Sequence, residues 1–224
     1  MSIIEQLRSN LIVSCQAPVE SVLHDDYIIA KIAQACVNRG AKALRIDSPS
    51  HIKAVKKLLP DIPVIGLWKQ MGLGSDVYIT PRMEDAKAVS GAGAEIIAID
   101  ATDRKRPNDE KMAEIVAYIH NHLGKLVMAD IDSVDNAIAA NKAGVDLIGT
   151  TLYGYTEKTQ LFHPPSYDLI TTLVKTLDTP IICEGGVKTP LQAKEALKAG
   201  CFAVVVGTAI TGIDLLAESF LRSF

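Results

Sequence analysis

The sequence predicts a single α/β domain over residues 1–224, a closed (β/α)8 barrel of the TIM type. Three observations predict it. Eight short runs of aliphatic residues alternate with longer amphipathic segments. The runs are apolar on both faces, as in a parallel sheet covered by helices, and lack the in–out alternation of a half-exposed sheet. Every second run is introduced by one motif: Gly40-Ala-Lys-Ala-Leu, Gly93-Ala-Glu-Ile-Ile, Gly144-Val-Asp-Leu-Ile and Gly200-Cys-Phe-Ala-Val. An open doubly wound sheet is the competing architecture, and the lack of a G-x-G-x-x-G after the first run disfavours it.

In chain order, the strands are expected at Leu11–Ser14, Ala43–Ile46, Val64–Trp68, Ile96–Ile99, Leu126–Ala129, Asp146–Gly149, Ile181–Cys183 and Ala203–Val206. Helices are expected near 22–38, 50–58, 83–91, 109–122, 133–142, 165–177, 189–198 and 213–222. Pro49-Ser50, Asn108-Asp109, Asp132-Ser133 and Thr189-Pro190 read as helix starts, because a short oxygen-bearing side chain or a proline suits the first turn. The repeated glycine falls where a helix ends, a place that tolerates left-handed backbone. The third and seventh runs enter through proline instead, at Ile62-Pro and Thr179-Pro. The pattern is four tandem (βα)2 units in 224 residues, a length that suits one such barrel.

Hydrophobic residues make up 48% and charged residues 22%, which excludes a disordered chain. With 23 Lys+Arg against 26 Asp+Glu, the net charge of -3 argues against a nucleic-acid partner. No apolar run approaches the ~18 residues that cross a bilayer, and the first ten residues do not read as a signal peptide, so a cytoplasmic protein without a membrane partner is expected. Cys15, Cys36, Cys183 and Cys201 form no C-x-x-C pair and read as reduced. Of the five histidines, His120 and His122 lie two apart on a helix and face different ways, and no spacing supports a metal site. Phe220, Leu221 and Phe224 read as core packing, with a homodimer contact as the alternative.

In this fold, chemistry sits where strands end. The polar residues just past the runs are Gln16, Arg45 with Asp47, Lys69 with Gln70, Asp100, Asp130, Thr150 and Thr151, Glu184, and Gly207-Thr208. Charge at the end of a buried strand is costly unless paired or used. Arg45, Lys69, Asp130 and Glu184 therefore converge on one mouth. A lysine emerging from a dry interior near other cations is expected to lose its proton readily and to act as base or nucleophile. A confined Glu184 is expected to be raised towards neutrality and to serve as acid or base. Glu184-Gly185-Gly186 after strand seven and Gly207-Thr208 after strand eight occupy the common phosphate position of the fold, where backbone N–H groups hold the anion. The connection 150–165 reads as a lid or an Ω-loop, and the segment 66–81 as a wall of the mouth.

The runs Ile12-Val-Ser-Cys-Gln-Ala, Pro63-Val-Ile-Gly-Leu-Trp-Lys, Tyr78-Ile-Thr-Pro, Ile99-Asp-Ala-Thr…Arg106-Pro, Met128-Ala-Asp-Ile-Asp, Gly149-Thr-Thr-Leu-Tyr-Gly-Tyr-Thr and Cys183-Glu-Gly-Gly-Val resemble the N-acetylmannosamine-6-phosphate 2-epimerase family over about residues 11–210. The resemblance implies a TIM-barrel isomerase of sialic acid and amino-sugar breakdown. Its substrates would be the 6-phosphates of N-acetylmannosamine and N-acetylglucosamine, and it would need neither cofactor nor metal. It implies Lys69 and Glu184 as catalytic residues and Gln16, Arg45 and Asp130 as substrate-orienting residues, with Arg45 on the developing oxyanion. Thr150, Gly185, Gly186, Gly207 and Thr208 complete the expected substrate-binding set. The family pattern has an arginine on the phosphate after the last strand; Gly212 stands in that place here. A Schiff-base aldolase acting through Lys69 and a non-catalytic sugar-phosphate-binding barrel are the alternatives.

Overall fold

The computed structural model describes residues 2–72 and 74–224. Eight parallel strands close in sequence order: β1 (Leu11–Cys15), β2 (Ala43–Asp47), β3 (Val64–Leu67), β4 (Ile96–Asp100), β5 (Leu126–Asp130), β6 (Leu147–Gly149), β7 (Ile181–Cys183) and β8 (Ala203–Val206), with β8 pairing back onto β1. Each lies within one residue of its expected bounds. The helices are α1 (Ile3–Leu7), α2 (Asp26–Asn38), α3 (Pro49–Leu58), α4 (Met83–Gly91), α5 (Met112–Tyr118), α6 (Val134–Lys142), α7 (Tyr167–Thr176), α8 (Pro190–Lys198), α9 (Thr208–Thr211) and α10 (Ile213–Leu221). Among the described residues, no helix is long and apolar enough to cross a membrane.

Strand parity explains the core and aims the site. Ile12, Ala43, Ile65, Leu67, Ile96, Ala98, Met128, Leu147, Ile182, Ala203 and Val205 form one buried cluster to which every strand contributes, so they fill the barrel. Their neighbours Val13, Leu44, Val64, Ile97, Ile99, Val127, Ala129, Ile148 and Ile181 join a second cluster with the helices. Because successive strand residues face opposite ways, the inward set continues upward into Ser14, Arg45, Lys69, Thr151 and Glu184.

Local chemistry fixes the helix ends. Asp25 accepts the N–H groups of Tyr27 and Ile28, Ser133 accepts that of Asn136, and Thr189 with Gln192 forms a capping box ahead of Pro190. Each such cap is worth about 1 kcal/mol. The repeat glycines Gly40, Gly93, Gly144 and Gly200 all have φ between +84° and +108°, which is why the motif recurs.

Two expectations are corrected. Asn108-Asp109 does not start a helix. Both residues have positive φ (57° and 55°) in an isolated 3-10 turn, and α5 begins only at Met112. Phe220, Leu221 and Phe224 are not core: α10 buries no residue, and Phe220 is 70% exposed. The sequence reading also omitted α1, whose Leu7 is fully buried and which packs with Ile3 and Ile4 against the barrel interior. The four cysteines are free thiols, as expected.

Candidate active site

A cavity of about 650 Å3 opens at the C-terminal ends of the strands. Of the expected residues, it brings together Gln16, Arg45, Lys69, Glu184, Gly185, Gly186, Gly207 and Thr208. Lys69 and Glu184 therefore share one pocket, although they lie 115 positions apart in the chain.

The floor is an ion network. Arg45 is 2% exposed. Its Nη2 donates to Asp130 Oδ2 at 2.6 Å, and its Nη1 lies 3.6 Å from Met128 Sδ. Its Nε is 3.0 Å from Glu184 Oε1, a charge contact without hydrogen-bond alignment. The guanidinium thus lies on the cavity wall, held between two carboxylates. Asp130 is fully buried beneath the pocket and also accepts from Thr151 Oγ1 at 2.6 Å. Burial pushes the Glu184 carboxyl up to about 7; Arg45 opposes that rise and Asp130 adds to it. This is the neutral-leaning carboxyl the sequence predicts.

Lys69 stands just past β3. Its Nζ donates to Gln16 Oε1 at 2.5 Å and lies 3.9 Å from Asp47 Oδ2, while its own N–H donates to Asp47 Oδ1 at 2.9 Å. Gln16 is held in turn by donating to Ser14 Oγ at 2.8 Å. The setting differs from the expected one: the side chain is 42% exposed, and the neighbours of its ammonium are an acceptor and a carboxylate.

Thr150 lies outside the cavity. Its Oγ1 donates to the Glu184 carbonyl (2.9 Å) and accepts the Glu184 N–H (3.1 Å), pinning the main chain of that residue across β6 and β7. Thr151 is the cavity residue. Gly185 and Gly186 both have positive φ, 101° and 67°. A Cβ on Gly186 would fall 2.2 Å from the Pro164 carbonyl oxygen, so the loop 150–165 packs directly on this turn. That loop is tied down by Thr156 donating to Asp132 at 2.7 Å and internally by Tyr153 stacked on Phe162, and Tyr155 from it lines the cavity.

Sequence reasoning missed Asp47 as the partner of Lys69, Lys188, Tyr78 and Tyr155. Lys188 lines the cavity beside the glycine turn and, among the described residues, has no carboxylate within 4 Å. Its place inside Glu184-Gly-Gly-Val-Lys was the available signal. Tyr78 and Ile79 line the cavity, and Ile79 bridges Lys69, so these three residues of the expected wall reach the mouth. Asp100 is instead folded into its own loop by Thr102 and Arg104. Among the described residues, no group of three or more His, Cys, Asp or Glu is placed to hold a metal ion.

Comparison with known proteins shows the family. The family model described as "NanE: Putative N-acetylmannosamine-6-phosphate epimerase" matches residues 29–224. A relative from Synechococcus elongatus, named "Putative N-acetylmannosamine-6-phosphate 2-epimerase", is 52% identical over 221 residues, covering 98% of this chain and 95% of its own. One of the same name from Thermosynechococcus vestitus is 53% identical over 223 residues, covering 100% and 96%. The solved N-acetylmannosamine-6-phosphate 2-epimerase from Clostridium perfringens superposes with a TM-score of 0.95 at 37% identity, covering 100% of this chain and 97% of that one. The chain belongs to the N-acetylmannosamine-6-phosphate epimerase family.

Proposed function

We propose that this protein interconverts N-acetylmannosamine 6-phosphate and N-acetylglucosamine 6-phosphate by removing and returning the proton at C2. The observation that carries the reading is an amine, Lys69, and a carboxyl raised to about 7, Glu184, on one cavity. A carboxyl of that kind gives up and takes back a proton near neutrality. C2 bears the acetamido group and is acidic only when C1 is a free aldehyde, so the sugar ring opens first. Lys69 and Glu184 then serve C2 from opposite faces: one takes the proton, an enolate forms with its charge on the C1 oxygen, and the other returns a proton. Such a positioned acid or base is worth typically ~10²–10⁴-fold.

The remaining residues support this step. Gln16 aims the Lys69 amine, Arg45 and Asp130 fix the Glu184 carboxyl, and Thr150 fixes its main chain. Gly185, Gly186, Gly207 and Thr208 form the phosphate end of the pocket, with Lys188 as a cation that has no ion pair among the described residues. Four free thiols suit the reducing cytoplasm. The exposed apolar residues of α10 suit a homodimer, which sedimentation at micromolar concentration tests.

In D2O, proton NMR of either sugar phosphate with the enzyme is expected to show product carrying deuterium at C2. Lys69→Ala is expected to stop turnover. Full turnover with protium retained at C2 overturns the proposal.

A further inference from the structure

The developing negative charge on the C1 oxygen needs a hydrogen-bond donor, and Arg45, the residue expected to supply it, is shared with two carboxylates. Arg45 Nη2 donates to Asp130, its Nη1 to Met128 Sδ, and its Nε lies beside Glu184 without a hydrogen bond. One N–H of Gln16 Nε2 donates to Ser14 Oγ, and Thr151 Oγ1 donates to Asp130. Tyr78 is different. Among the described residues its hydroxyl has no hydrogen-bond partner, yet the residue lines the same cavity as Lys69 and Glu184. Buried or half-buried phenols normally find a partner. The other tyrosine on this cavity, Tyr155, stands at the rim, 56% exposed.

The fold holds Tyr78 in place. Its carbonyl accepts the Gln70 N–H at 2.9 Å, and the Thr80 N–H donates to the Trp68 carbonyl at 2.9 Å, so residues 68–70 and 78–80 form a short antiparallel pair across the mouth. The strand-four loop locks this pair from outside: Arg104 Nη1 donates to the Asp76 carbonyl at 2.8 Å, and the Asp100 N–H donates to the Ile79 carbonyl at 2.9 Å. The motifs Tyr78-Ile-Thr-Pro and Asp100-Ala-Thr…Arg104 thus act on one another. The side chain packs on the barrel-interior cluster, and the residue lines the cavity.

Resting on the epimerase reading above, we propose that Tyr78 is a further catalytic residue, whose hydroxyl donates a hydrogen bond to the C1 oxygen of the open-chain sugar as the C2 proton leaves. The phenol stays protonated throughout: burial, with Asp130 and Asp100 nearby, pushes it up to about 12. It therefore donates at any pH at which the enzyme works and takes no part in the proton transfer itself.

The test is Tyr78→Phe, which keeps the ring and its packing. The expected result is a fall in kcat of about 10²-fold, as for loss of one oxyanion donor, with KM and the melting temperature unchanged and a larger isotope effect with C2-deuterated substrate. Tyr78→Leu, which also removes the ring, is expected to lose stability in addition. Wild-type kcat in Tyr78→Phe overturns the assignment, as does a fall in kcat matched by lost melting temperature. Lys69→Ala in the same assay separates the two ideas. If it is inactive while Tyr78→Phe is normal, only the tyrosine assignment fails; if it turns over normally, the proton-transfer scheme fails and the tyrosine role with it.

Discussion

Replacing Glu184 by glutamine isolates the electrostatic cost of the site. The carboxyl is ordinary in the unfolded chain, near 4.5, and sits near 7 in the folded protein because burial disfavours its charge. As pH rises from 4.5, the unfolded chain releases this proton first. The folded protein then holds more protons than the unfolded one, so stability falls with rising pH until Glu184 ionises near 7. The span is worth about 3 kcal/mol, fully lost above pH 7. The neutral amide of Glu184→Gln carries no such term. Relative to the wild type, the variant is expected to gain about 3 kcal/mol between pH 4.5 and pH 8, a relative rise in melting temperature on the order of 10 °C for a chain of this length. Urea or thermal unfolding of both proteins across that range reads the difference directly. A wild-type-to-variant difference that stays constant with pH refutes the reasoning, because it means that the carboxyl ionises as easily inside the protein as outside.

Two other predictions concern the frame around the carboxyl. Thr150→Val removes both bonds to the Glu184 main chain and leaves a buried N–H and C=O unpaired; it is expected to cost about 2 kcal/mol and to lower kcat, with Thr150→Ser restoring both, as unfolding and turnover measurements check. Gly186→Ala drives a Cβ against the Pro164 carbonyl in a left-handed conformation. It is expected to lower stability by roughly 1–3 kcal/mol and to raise KM for the sugar phosphate, because the turn and the 150–165 loop move apart.

Most of the barrel was legible because its signals are local. A strand buried on both faces shows as an unbroken aliphatic run, and the end of each repeat shows as a glycine that must take positive φ. The site was legible at the level of strand ends, since a charge such as Lys69 after Val64–Leu67 stands out. The unread part turns on single positions and long-range contacts. Thr150 and Thr151 look alike in the sequence, yet β6 ends at Gly149, so one turns to β7 and the other to the cavity. The ion pairs of Arg45 with Asp130 and Glu184 depend on a strand register that no single run states. Tyr78 reaches the mouth only because the segment after β3 folds back on itself, a pairing that no periodicity announces. The short α1 did carry a signal, Ser2 capping Glu5 ahead of Leu7, but five residues give too little periodicity to weigh.

Epimer-specific exchange tests the account most directly. Each sugar phosphate is incubated in D2O with Lys69→Ala and, separately, with Glu184→Gln, and the C2 proton signal is followed by NMR. Two groups serving opposite faces predict that neither variant interconverts the sugars, and that each still washes out the C2 proton of one epimer, a different one for each variant. Interconversion that survives in either variant, or the same epimer losing its proton in both, contradicts it.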